Sequence, residues 1–316
     1  MENQLVVKLG PWLTENYGFK NIRDIKVIQE TDYNLVVFFL AENQKMIARI
    51  SKIISPAEVK EETSALDYLY NKKLAVPKII PAKNGSFVTC PDFAQTITVF
   101  EFIDGRQVES NLSNKPTRGE ASSAARTLAQ IHSASKGLSQ LKRINRSVSS
   151  EIEKCLKNNE LIENTYIEGG KFIEEIKVAA EKAHRFTNNF CLVHGDFRSK
   201  NLIFEKKTEK IKAVIDFEWC FLGPALYDLG LMLVEWSCPD QQQFFDQEML
   251  ETILQTYSNE AGKQYSLNEE IKFWMYYSAL CDAATYLWRK ATYHNSSEKI
   301  HLNSFMYQKA SSVKNL

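Results

Sequence analysis

Two periodicities divide the chain. In the first hundred residues, short runs rich in β-branched and aromatic residues alternate with polar turns. After a helix expected over Asn3–Tyr17, the runs Ile25–Ile28, Leu35–Leu40, Lys45–Ile50, Ser86–Cys90 and Thr96–Ile103 predict strands. One helix interrupts them. Ser55-Pro56-Ala57-Glu58 has the form of a capping box with proline at the first helical position, and Val59, Leu66, Leu69 and Tyr70 form its inward stripe. Beyond Ile103 the period lengthens to that of helices, over Arg118–Ser133, Leu138–Thr187, Gln242–Asn259, Asn268–Ala291 and Ile300–Ser311. Gly169-Gly170 breaks the second of these into two. The pattern predicts an α+β chain with a small sheet-bearing part, residues 1–103, and a larger, mostly helical part, residues 104–316.

Charges that violate these patterns mark candidate chemistry. Arg49 lies in line with Ile47 on an apolar strand, where a cation is costly unless paired. Glu62 falls on the apolar stripe of the helix that starts at Pro56, and so is its natural partner. In the helical part, the run Cys191–Gly230 carries an acid, Asp196, then an amide, Asn201, then a second acid, Asp216, behind the strand Ala213–Ile215. A carboxylate that takes a hydroxyl proton, and two oxygen ligands for Mg²⁺, are what phosphoryl transfer from ATP or GTP requires.

His194-Gly195-Asp196, Asn201 and Asp216-Phe217-Glu218 follow the order of protein-kinase catalytic and metal loops, with H-G-D for H-R-D, D-F-E for D-F-G and no A-P-E. With Gly223-Pro224 and Tyr227-Asp228-Leu229-Gly230 behind them, they resemble the aminoglycoside phosphotransferase and choline kinase superfamily. That resemblance implies a two-lobed protein-kinase-like fold with an antiparallel-sheet N-lobe and a mostly helical C-lobe. It further implies a small-molecule kinase with Asp196 as base and Asn201 and Asp216 as metal ligands. Arg49 with Glu62 would position the phosphates. Backbone groups of Glu101, Phe102 and Ile103, where a kinase chain passes between its lobes, would meet the base. The hairpin turn Gln29–Asn34 has no glycine, and only Asn34 matches the family's turn. Asn34 therefore fits a nucleotide contact or a plain turn. Arg198 fits a role in neutralising the transferring phosphate or a solvated cation, and His132 fits a core histidine better than a catalytic one. Glu218 suits the metal or a cationic acceptor. Asp228 is expected to brace the catalytic loop from a helix beginning near Ala225.

Composition narrows the partners. Lys+Arg and Asp+Glu both number 39, which gives no footing for nucleic acid, and no apolar run is long enough to span a membrane. A cytoplasmic protein is expected, with six cysteines packed as thiols. From Phe217 onward 12 acidic residues face 7 basic ones, whereas residues 104–216 carry 15 and 20. An acidic, aromatic-bearing acceptor side suits a small molecule that carries an amine, such as an aminoglycoside, choline or ethanolamine, or homoserine. The rival readings are a catalytically idle nucleotide-binding module, suggested by the glycine-free hairpin, and a protein kinase, which the short segment between Asp216 and Asp228 disfavours.

Overall fold

A computed structural model describes residues 2–109, 115–136, 147–185, 190–239 and 244–316. The chain forms two compact units, residues 1–105 with 212–218, and residues 106–211 with 219–316. In the first unit, β1 (Arg23–Glu30), β2 (Asn34–Ala41), β3 (Gln44–Ser51), β4 (Ile79–Ile80) and β5 (Thr96–Glu101) form an antiparallel sheet in the order β1-β2-β3-β5-β4. Strand alternation gives the sheet two different faces. Leu35, Val37, Phe39, Met46, Ala48, Ile50, Ile97 and Val99 point to one, where Leu9 and Leu13 of α1 (Glu2–Tyr17) cover them. Val36, Arg49 and Thr98, paired across β2, β3 and β5, belong to the other.

The helix α2 (Pro56–Asn71) begins as its capping box predicts. Ser55 Oγ accepts from the Glu58 N–H, and the Glu58 carboxylate accepts from the Ser55 N–H. Val59, Glu62, Leu66 and Leu69 are buried, whereas Tyr70 is exposed and leaves the expected stripe. A second correction concerns Ser86–Cys90. This run forms no strand. It makes a single bridge, Thr89 to Ile97, and Ile79–Ile80 takes the edge of the sheet instead. The run lies between a turn at Asn84-Gly85 and Pro91, which has no N–H to extend a ladder.

The second unit is helical: α3 (Arg118–Ala134), α4 (Ser150–Lys157), α5 (Asn159–Thr165), α6 (Gly169–Ala183), α7 (Leu226–Ser237), α8 (Gln247–Ala261), α9 (Glu269–Thr292) and α10 (Phe305–Val313). Of the helical run expected over Leu138–Thr187, residues 138–146 and 186–187 lie outside the described residues. The rest makes three helices, and the glycine pair opens the last rather than separating two. Residues 242–243 of the next expected helix also lie outside the described residues. The strand β6 (Phe190–Val193) pairs antiparallel with β7 (Phe221–Pro224). Beside them α7 is apolar all round and almost wholly buried, as befits a core helix, yet it carries Asp228 and Glu235. These acids stand seven residues apart, two turns along the same face.

Candidate active site

The strand β6 delivers the run His194–Asn201, and α7 holds its start. The Asp228 carboxylate accepts from the His194 N–H at 2.6 Å and the Gly195 N–H at 2.9 Å. Its Oδ2 also faces His132 Nε2 at 3.1 Å, while His132 Nδ1 meets the Tyr257 hydroxyl at 2.7 Å. Asp228 thus braces the loop from its helix, and His132 is a satisfied core histidine. Gly195 explains the departure from H-R-D. It lies at φ +83°, and a Cβ there would stand 2.2 Å from the Trp219 carbonyl oxygen.

Beyond the glycine, the loop turns its acid inward. Asn201 Nδ2 donates to the Asp196 carbonyl at 2.8 Å and to Asp196 Oδ2 at 2.9 Å. Arg198 Nε donates to Asp196 Oδ1. Burial pushes the Asp196 carboxyl up, but the charges of Arg198, Lys200 and His194 outweigh it and hold the group below its ordinary value. It is therefore an ionised carboxylate at neutral pH. With both amide hydrogens turned to Asp196, the Asn201 Oδ1 remains as an oxygen donor.

Arg198 is shared among three acids. Besides Asp196, its Nη2 donates to Asp282 Oδ1 on α9 at 2.5 Å, and its Nη1 stands 3.7 Å from Glu235 Oε2 on α7. The other Glu235 oxygen accepts from Lys309 Nζ of α10 at 3.0 Å. Burial, with Asp196 and Glu235 nearby, pushes the Asp282 carboxyl up, and Arg198 offsets this only in part. Sequence reasoning missed Glu235, Asp282 and Lys309. A signal existed for two of them. Glu235 repeats the Asp228 position two turns on in an apolar helix, and Lys309 lies on the stripe Met306, Ala310 and Val313 of α10.

In the first unit the expected ion pair is present. Arg49 Nη1 donates to Glu62 Oε1 at 2.7 Å and Nη2 to Oε2 at 2.5 Å, a bidentate fork in which both residues are buried. Burial works against the Arg49 charge, yet Glu62 at close range, and Glu218 and Asp216 further off, raise it above the ordinary arginine value. Its Nε has no hydrogen-bond partner among the described residues. Asn34 Nδ2 donates to Glu218 Oε2, while its Oδ1 accepts from Ser51 Oγ at 3.2 Å, so the turn residue is joined to the segment carrying Asp216. The Val214 N–H fixes that segment to the Ala75 carbonyl at 2.7 Å. Asp216 itself sits at φ +68°, the left-handed region that aspartate tolerates better than most residues and that functional positions often use. Of the three linking residues, the Glu101 N–H donates to Lys78 and the Phe102 N–H to Lys45. The Ile103 N–H has no backbone acceptor among the described residues.

Residues 24–262 match the phosphotransferase enzyme family. The chain belongs to that family. No match was found among the curated proteins. Solved structures of similar fold include the amicoumacin kinase hAmiN in complex with AMP-PNP, Ca²⁺ and Ami, at TM-score 0.71 and 14% identity over 100% of this chain and 94% of that one. Spectinomycin phosphotransferase in complex with ADP and spectinomycin has a TM-score of 0.69 at 13% identity, covering 98% of both chains. Choline kinase from Streptococcus pneumoniae has a TM-score of 0.67 at 17% identity, over 100% and 99%. The fold of this phosphotransferase is therefore the α+β protein-kinase-like one that the motifs imply. Among the described residues, no helix is long and apolar enough to cross a membrane. A metal is implied by the family, and the donor chemistry fits. The Asn201 amide oxygen and the Asp216 carboxylate are each hard oxygen donors of the kind Mg²⁺ takes. Among the described residues, there is no group of three or more His, Cys, Asp or Glu that could hold a metal ion.

Proposed function

We propose that this phosphotransferase moves the terminal phosphoryl group of ATP or GTP, with Mg²⁺, onto a hydroxyl of a small amine-bearing molecule in the cytoplasm. Residues 1–103 serve as the nucleotide-binding lobe, and residues 104–316 supply the catalytic loop and acceptor pocket. Asp196 takes the acceptor's hydroxyl proton as the new oxygen–phosphorus bond forms and the bond to the leaving diphosphate breaks. The observation that carries this reading is an Asp196 carboxylate kept ionised despite burial, aimed by Asn201 and Arg198 on a loop that α7 fixes. Such a group is already in the deprotonated form that a base requires at neutral pH.

Arg49, oriented by Glu62, places a cation with an uncommitted Nε against phosphate oxygens, and Asn34 adds an amide at the hairpin. The Ile103 N–H, with the backbone of Glu101 and Phe102, meets the base. Asn201 and Asp216 hold Mg²⁺, which when bound neutralises phosphate charge. Arg198 aims Asp196 and lends its charge to the transferring group. The amine is supported by the acids around Arg198. Three carboxylates, of Asp196, Glu235 and Asp282, stand against two cations, Arg198 and Lys309, an excess of negative charge that an amine would match.

A screen of aminoglycosides, choline, ethanolamine, homoserine and sugars, monitored by ADP or GDP release, tests the reaction. Asp196→Ala should still bind nucleotide while turnover falls by roughly 10²–10⁴-fold. Undiminished turnover would remove Asp196 from the mechanism. Nucleotide binding without transfer to any acceptor would favour an idle module instead.

A further inference from the structure

We propose that Lys309, on the C-terminal helix α10, is a positioning residue for Asp196, acting through Glu235 and Arg198. The inference rests on the phosphotransferase reading above for its kinetic consequence, though not for its geometry. Lys309 is 3% exposed, on a helix face otherwise made of Met306, Ala310 and Val313. A methionine or leucine would fill that place with less desolvation, so packing does not account for a lysine there. Its ammonium is matched by the buried Glu235 at 3.0 Å.

The geometry of the next two steps gives that pair a use. Glu235 has two oxygens: Lys309 holds Oε1, and Oε2 stands 3.7 Å from Arg198 Nη1. That separation is an ion pair without a close hydrogen bond. The guanidinium fork is thereby divided, with Nε on Asp196, Nη2 on Asp282 and Nη1 facing Glu235 only loosely. A guanidinium offers its donors in a rigid plane, so a closer bond at one edge must swing the others. Without the ammonium, the Glu235 carboxylate turns both oxygens to Arg198, the nearest cation, and draws the fork towards α7 and off Asp196. Lys309 therefore keeps Arg198 on the base by occupying the acid that competes for it. The last helix of the chain becomes part of the catalytic apparatus without touching substrate.

The test compares Lys309→Met, Lys309→Arg and the double variant Lys309→Met with Glu235→Gln. The double variant removes the uncompensated buried acid, so it is the folded control should Lys309→Met unfold. Two quantities are read: kcat and nucleotide KM with the acceptor found by the screen, and the Arg198 Nε–H resonance, assigned by its loss in Arg198→Lys. Displacement of a base by about 1 Å costs on the order of 10²-fold. Lys309→Met should accordingly lose roughly 10- to 100-fold in kcat, with nucleotide KM within about twofold of wild type, whereas the double variant, which has no competing acid, should keep wild-type kcat. The Arg198 signal of Lys309→Met should shift upfield and exchange faster, and both Lys309→Arg and the double variant should recover the two readouts. A purely structural lysine predicts otherwise, and either of two results would overturn the proposal. One is a folded double variant whose kcat stays roughly 10-fold or more below wild type, and the other is a Lys309→Met protein whose kcat and Arg198 resonance do not move. A wild-type protein that transfers phosphate to no acceptor would count against the functional reading instead, and the resonance would still decide the role of Lys309.

Discussion

The loop His194–Asn201 and the Arg49–Glu62 pair both bury charge, but they are held in different ways. In the loop almost every polar group has a protein partner: Asp228 takes two backbone N–H groups and faces His132, and Asp196 is held by Asn201 and Arg198. Its geometry is complete before any ligand arrives, as preorganised electrostatics require. The sheet's arginine has one hydrogen-bonding partner, Glu62, and an Nε left without one among the described residues. A buried donor without an acceptor is costly, and where it persists it invites an anion. One region is finished by the fold, whereas under the proposed function the other is finished by the nucleotide.

That contrast can be broken at several points. The largest effect belongs to Asp228→Ala, which leaves two backbone N–H groups and a buried imidazole without their acceptor at roughly 1–3 kcal/mol each. Thermal or denaturant unfolding should show a loss on the order of 5 kcal/mol, and MgATP should add no more stability than it adds to wild type. If the variant melts like wild type, the loop is not held by α7.

Glu62→Ala comes next, at about 3–5 kcal/mol, the usual cost of removing one partner from a buried pair. Here the response to ligand should differ. The stabilisation by saturating MgATP should equal or exceed that of wild type, because phosphate supplies the missing anion. A smaller increment would mean that Arg49 does not meet the phosphates.

The smallest effect lies at the rim of the second unit, where Glu175 accepts from Tyr276, Tyr307 and Lys314. Burial raises its carboxyl, but Lys314 and the two hydroxyls outweigh that and set it below the ordinary value. A depressed acid stabilises the fold above its unfolded pKa, about 4.3 for glutamate, and loses that contribution as pH falls through the folded value. Glu175→Gln should therefore melt closer to wild type in strong acid than at neutral pH. An equal deficit at both would show that the ionised group contributes nothing.

Much of this was legible as local pattern. The capping box at Ser55, the misplaced Arg49 and Glu62, and the brace at Asp228 all stand out against a periodic background, because a charge on an apolar stripe needs a partner. Other features were hidden because they depend on what packs alongside. The strand expected at Ser86–Cys90 lost the sheet edge to a two-residue run at Ile79–Ile80, whose composition alone says nothing. In the sequence Gly195 is only a motif letter, and it is the fold that sets the Trp219 carbonyl against it. The same is true of Gly230 in the Y-D-L-G run, where a Cβ would meet the Trp274 backbone of α9 at 2.5 Å.

By itself the sequence determined the class of chemistry and the elements that carry it. Spacing along a strand or helix is a local property, and an acid, an amide and a second acid at these intervals are already suited to phosphoryl transfer. Only the tertiary structure decided which distant charges share a partner. Arg198 gathers Asp196, Glu235 and Asp282 from the loop, α7 and α9, and Lys309 reaches the same cluster from α10. Nothing in the sequence joins these positions, since desolvation and Coulomb energy depend on distance through the folded interior and not on separation along the chain.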